Sequence, residues 1–190
     1  MRNKCPVEMR KCLTPKFRVS FPSAFKPEQY EDQEPKFSLT MLFDKSTDLS
    51  ALKKVVMAAA LAEFGDKSTW PKNLRFPFRD GSEKPDLQGY EGCVFVRATS
   101  LSRPGIVDQK REPITEQSGD FYPGCYARAT LIASAYDVKG NRGVKFILQN
   151  IQKLADGEAF SGRPSAESEF DAVDMPESAT DFDSDDDFDI

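Results

Sequence analysis

Residues 156–190 contain thirteen acidic side chains and one basic one, set among Gly, Ser and Pro without hydrophobic periodicity. Such a segment has too little apolar surface to offset its ordering entropy, so the sequence predicts a disordered acidic tail. Folding is thereby confined to residues 1–155, which hold 25 of the 26 basic residues and 18 of the 31 acidic ones. The formal charge of −5 averages a body of +7 with a tail of −12. A basic body tethered to a polyanion with apolar residues near its tip suggests a nucleic-acid binder carrying an internal competitor for its own surface.

About 155 residues make one ordinary domain with room for a real core. Met1-Arg-Asn-Lys-Cys-Pro is not followed by an apolar stretch, so no signal peptide is expected. The longest apolar run, Val55 to Ala62, is far short of the ~20 residues a bilayer helix needs. A soluble protein of the cytoplasm, without a membrane partner, is expected. Cys5, Cys12, Cys93 and Cys125 do not match structural zinc spacings, and Cys93 and Cys125 open strand-like runs where a thiol packs as a small apolar group. The chain has no histidine, which removes Ser-His-Asp and Cys-His nucleophile pairs, imidazole bases and His-ligated metals. Phosphate-loop and dinucleotide-turn glycine motifs are missing as well. No catalytic residue, cofactor or metal is expected. The enzymatic class that survives is carboxylate–Mg²⁺ chemistry, with Asp80, Glu83, Asp86 and Glu91 as the dense body cluster.

Period-two alternation marks the strands. Phe17, Val19 and Phe21 alternate with Lys16, Arg18 and Ser20 before Pro22 ends the run. Phe37, Leu39, Met41 and Phe43 alternate with Lys36, Ser38 and Thr40, Leu42 being the one violation. Val94, Val96 and Ala98 alternate with Phe95, Arg97 and Thr99. Residues 125–137 and 144–154 form a long hairpin about the turn at 139–143. Segment 26–35 reads as a loop. Asp48 to Phe64 is a helix, with Asp48 as N-cap and Gly65 as its stop. Residues 66–92 form a long excursion that mixes rings with bases. The fold class expected is all-β with one inserted helix, a five-stranded oligonucleotide-binding (OB)-like barrel with long loops. Its domain is residues 1–155, followed by the tail at 156–190.

Binding a single strand requires cations that track phosphates and exposed rings that stack on bases. Phe95 and Arg97 share one strand side, as do Tyr126, Arg128 and Tyr136. Lys16, Arg18, Lys36 and Lys145 are polar-side bases on the other strands, and Trp70, Arg75, Phe76 and Arg79 supply a flap over the groove. Each ring taken singly could equally fill a core. In the tail, Phe182, Phe188 and Ile190 lie around Asp185, Asp186 and Asp187, anchors suited to docking on a protein partner. Tethering also lets the same residues compete for the groove.

Pro15-Lys-Phe-Arg-Val-Ser-Phe-Pro, Gly124-Cys-Tyr-Ala-Arg-Ala and Gly143-Val-Lys-Phe-Ile-Leu-Gln-Asn-Ile resemble blocks of the phage-encoded single-stranded DNA-binding proteins of an OB-fold family. The resemblance covers roughly residues 14–154 plus the tail. It implies a non-enzymatic protein that coats single-stranded DNA in phage replication and recombination, in the cytoplasm of the infected host cell. It further implies a tail that recruits polymerase, primase or helicase and occupies the groove when DNA is absent. Tyr126, Arg128 and Lys145 fall inside the matching blocks. The rivals are a Mg²⁺-dependent nuclease or resolvase, and a virion or scaffolding protein with a solubilising tail. Homo-oligomerisation is left open.

Overall fold

Five long strands pair in an order that returns to its starting point. The computed structural model describes residues 5–29, 31 and 33–160. In chain order they form α1 (Val7–Arg10), β1 (Lys11–Leu13), β2 (Phe17–Glu28), β3 (Lys36–Asp44), α2 (Ser50–Phe64), β4 (Phe78–Asp80), β5 (Cys93–Ser100), β6 (Gly105–Val107), β7 (Tyr126–Val138) and β8 (Asn141–Ala155). β7 pairs with β2, β2 with β3, β3 with β5, β5 with β8, and β8 with β7 again. The β5–β8 contact is parallel and the other four are antiparallel. The short strands β1, β4 and β6 line the rims of this ring. The mainly β class with one principal helix is the one the periodicity predicts.

Inward positions of the ring make the core. Phe17, Phe43 and Phe146 are fully buried, and Phe17 meets Phe43 edge-on at 5.7 Å. Each ring contributes about 1.5–3 kcal/mol by leaving water. On β7, Ala127, Ala129, Leu131 and Ala133 face inward as the alternation requires. The three alanines leave room for α2, which packs on β7 and buries Leu52, Val55, Val56, Ala59 and Ala60. The helix starts two residues later than Asp48. Leu49 is its N-cap residue, and the Asp48 carboxylate instead accepts hydrogen bonds from the Ser50 amide at 2.8 Å and the Ser50 hydroxyl at 3.0 Å. Gly65 closes the helix, donating its N–H to the Leu61 carbonyl.

Two expectations need correction. Pro22 does not end β2, which continues to Glu28. A register shift between Ser20 and Ser23 places the proline where the ladder makes no demand on its missing N–H. The excursion at 66–92 is also sewn into the sheet. β4 pairs with β5, and the Arg75 backbone exchanges hydrogen bonds with Arg142 and Val144 of β8. Gly143 makes that second seam: a Cβ there would lie 2.6 Å from the Arg75 carbonyl oxygen and 2.7 Å from the Tyr136 hydroxyl.

Beyond β8 the chain stays on the body as far as Phe160, five residues past the domain end expected from composition. The Tyr122 hydroxyl donates to the Gly157 carbonyl and accepts from the Gly157 amide, and Lys153 pairs with Asp156 at 2.6 Å. The Phe160 amide donates to the Pro123 carbonyl at 2.8 Å.

Candidate nucleic-acid interface

The outer face of β3, β5 and β8 carries the candidate site. In the β3–β5 register Thr40 lies opposite Arg97 and Ser38 opposite Thr99. The parallel β5–β8 register, with Ala98 beside Phe146, brings Lys145 alongside Arg97. Ser38 and Thr40 are buried hydroxyls beneath this row, and an Arg97 guanidinium N–H reaches the Ser38 Oγ at 3.4 Å. A polar floor with two long cations rising from it can hold phosphates without tying them to a base sequence.

Over this floor lies a groove of about 570 Å³. Its cations are Arg75, Arg79, Lys84, Arg97 and Lys145, and its rings are Phe21, Phe76, Tyr90, Phe95 and Tyr136, with Glu28 as the single acid. Two further depressions adjoin it along the sheet, one where Lys36, Arg97 and Lys145 face Glu28, Glu31 and Glu34, and the next where Lys36, Arg103 and Lys145 face Glu34. Lys145 lines all three, so it stands where they meet, and the excess of cations is confined to the first groove.

Phe95 does not present a free ring. It is 6% exposed and forms a small second core with Leu42 and Tyr90, which also accounts for Leu42 breaking the alternation of β3. The Tyr90 hydroxyl meets the Ser20 Oγ at 3.1 Å, and the Arg79 guanidinium lies 5.2 Å above the Phe95 ring. Arg79 is held there by Glu83, to which its Nε donates at 3.0 Å. Phe95 is therefore the floor under an arginine, and the exposed ring at this point of the flap is Phe76. Trp70 does not line the groove. It is half-buried, donates its indole N–H to the Gly65 carbonyl at 2.8 Å, and props Phe76 at 5.9 Å between ring centres.

Four of the expected residues gather elsewhere. Lys16 and Arg18 lie 5.3 and 5.8 Å over the Tyr126 ring, and Arg128 donates to Gln152 Oε1 at 2.9 Å. Arg18 also donates to the Gly124 and Glu158 carbonyls and stacks on Phe160 at 4.3 Å. None of the four lines the groove, whereas Tyr136, farther along the same strand as Tyr126, does. Phe182, Asp185, Asp186, Asp187, Phe188 and Ile190 lie outside the described residues. The depressions are also lined by Phe21, Lys84, Tyr90 and Arg103, which sequence reading did not single out. Lys84 carried a visible signal, being one of the bases interleaved with rings in the excursion.

Two members of the acidic cluster are otherwise engaged. Asp80 accepts from the Ser82 amide and pairs with Lys45 at 3.0 Å, and Glu83 is taken by Arg79. Among the described residues no group of three or more Cys, Asp or Glu side chains converges to hold a metal. The Ser82 amide, followed by Lys45, lowers the Asp80 carboxyl to about 2 from 3.8. A lowered carboxyl stabilises the fold above its unfolded value and loses that contribution as pH falls through the folded one. The pairing is thus expected intact above pH 4 and lost as pH falls toward 2. A carboxyl NMR titration checks this: Asp80 should titrate near 2, and Lys45→Ala should move it upward.

Comparison with known proteins fits this geometry. A family model described as the ssDNA-binding protein of Enterobacter phage Enc34 matches residues 10–183. The chain belongs to this family of phage single-stranded DNA-binding proteins, whose members are binding proteins rather than enzymes. Putative protein p50 of Acyrthosiphon pisum secondary endosymbiont phage 1 is 36% identical over 171 residues, covering 84% of this chain and 92% of that protein. The single-stranded DNA-binding protein of bacteriophage Enc34, solved in complex with ssDNA, superposes with a TM-score of 0.68 at 25% identity, covering 80% of this chain and 90% of that one. The gp2.5 single-stranded DNA-binding protein of bacteriophage T7 shares the fold, with a TM-score of 0.55 at 11% identity over 81% of this chain and 96% of that one. The architecture is thus that of OB-fold-like phage proteins.

Proposed function

We propose that this chain binds single-stranded DNA without strong sequence preference, laying the strand along the groove centred on Lys145. The observation that carries this reading is the placement of five cations and three accessible rings, Phe21, Phe76 and Tyr136, around one cleft with a single acid. Cations on a polar floor take phosphates, and accessible rings take base faces that a duplex would keep stacked. Neither contact depends on base identity. Among the described residues no helix is long and apolar enough to cross a membrane. The binding is read as serving phage DNA replication and recombination in the cytoplasm of the infected host cell.

The tail is read as regulator and recruiter. Its acids compete with DNA phosphates for the groove, and strand binding frees Phe182, Phe188 and Ile190 to engage a replication protein such as a polymerase, primase or helicase. Titrating labelled oligo-dT with the full chain at low salt tests the binding: saturable binding that weakens as salt rises is expected. No binding by the full chain or by a chain ending at Phe160 would refute it.

A further inference from the structure

Phe21 breaks two rules of folding at once. By alternation it belongs inside with Phe17 and Val19, which are 1% and 0% exposed, yet it is 57% exposed. Its backbone also takes φ +44°, a left-handed conformation that bulky side chains rarely adopt. Both departures arise at the register shift between Ser20 and Ser23, where a bulge turns one side chain to the other face of the strand. For stability alone a glycine would suit this position better, since it accepts positive φ freely and exposes no ring. Strain of this kind persists where the surrounding structure imposes it for a function. Here the bulge delivers the ring to the wall of the basic groove, which also holds Phe76, the other largely exposed ring there, at 40%.

We propose that Phe21 is a base-stacking residue, held in strained backbone so that its ring meets an unpaired nucleobase of the strand in the groove. This rests on the groove reading above and adds a contact to it. A bulge between paired strands fixes the backbone that carries the ring, so only side-chain freedom is lost on binding and more of the stacking energy appears as affinity. Bases in a duplex have their faces covered by their neighbours, so such a contact favours unpaired strands. Arg97 and Lys145 line the same groove, so a base stacked on Phe21 can leave its phosphates within their reach.

The test compares full-length parent and variants on oligo-dT and on an abasic strand of equal length, which keeps the phosphates and lacks the bases. The parent should prefer oligo-dT. Phe21→Ala should lose about tenfold on oligo-dT, within the range for one stacked base, and bind the abasic strand as the parent does. Phe21→Trp should retain oligo-dT affinity. Phe21→Gly should match the alanine variant in binding without a lower Tm, because relief of strain offsets its added chain entropy. Equal oligo-dT affinity in parent and Phe21→Ala would overturn the inference while leaving the groove reading intact. Equal losses on both strands, or a Tm lowered by several degrees in Phe21→Gly, would also overturn it by assigning the ring a structural role. A parent that binds neither strand contradicts the groove reading, and this inference falls with it.

Discussion

Replacing Arg97 and Lys145 together by alanine should weaken oligo-dT binding by about a hundredfold. A hydrogen bond to a charged group contributes roughly 1.5–3 kcal/mol, and two such contacts at its lower end give ~3 kcal/mol, about two factors of ten. The pair sits where the depressions meet, since Lys145 lines all three and Arg97 two of them. Each phosphate neutralised on a single strand releases about 0.7 of a counterion, so the salt dependence should flatten by roughly 1.4 in the log–log slope. That second readout separates a lost phosphate contact from a distorted groove, which would lower affinity without a matching change in slope. Stability should hold within about 0.5 kcal/mol, because both side chains are exposed on the sheet surface. Lys54→Ala, an exposed base on α2 outside the groove, serves as the control and should leave both affinity and slope near the parent's.

The second large effect is expected from the tail. Residues 161–190 carry eleven acids and one base, and on the proposed reading tethering would give them an effective concentration near the millimolar range at the body's cations. A chain ending at Phe160 should therefore bind oligo-dT roughly tenfold more tightly than the full chain at low salt, and the two affinities should converge as salt screens the competition. The end point matters. Cutting at Ala155 would remove the Asp156 partner of Lys153, the Gly157 hydrogen bonds of Tyr122 and the Phe160 ring stacked on Arg18. Such a variant would confound lost packing with lost competition. Equal affinities for the full chain and the chain ending at Phe160 at every salt concentration would show that the tail does not contend for the groove.

Much of the fold was legible because long stretches of its five ring strands alternate. Val96 and Ala98, or Ala127 through Ala133, mark the side that faces the main core. The same parity puts Arg97, Lys145 and Lys36 on the outer face, where the structure has them. Parity fails wherever the ladder slips. A bulge after Ser20 turns Phe21 outward, a displacement that no local pattern announces, since Pro22 reads equally well as a strand end. Parity also cannot say which part of a long strand meets which neighbour. Tyr126 and Tyr136 share one side of β7 in sequence, yet the first sits under Lys16 and Arg18 and the second lines the groove. Burial on an outer face was equally hidden. Phe95 lies under Arg79 because residues 78–90 fold back across β5, a tertiary event set by the Asp80 and Gly81 turn rather than by β5 itself. The span 66–92 lacked periodicity because it is held by short backbone seams to β5 and β8 instead of by an amphipathic face.

Photocrosslinking locates the strand directly. An oligo-dT carrying 5-iodouracil, irradiated with the full chain at low salt and mapped by mass spectrometry, should give adducts at Phe21, Phe76 or Tyr136 around the groove. Adducts confined to Tyr126 and its neighbours, with none at those three rings, would place the strand on the Lys16–Arg18 surface and contradict the assignment of the groove.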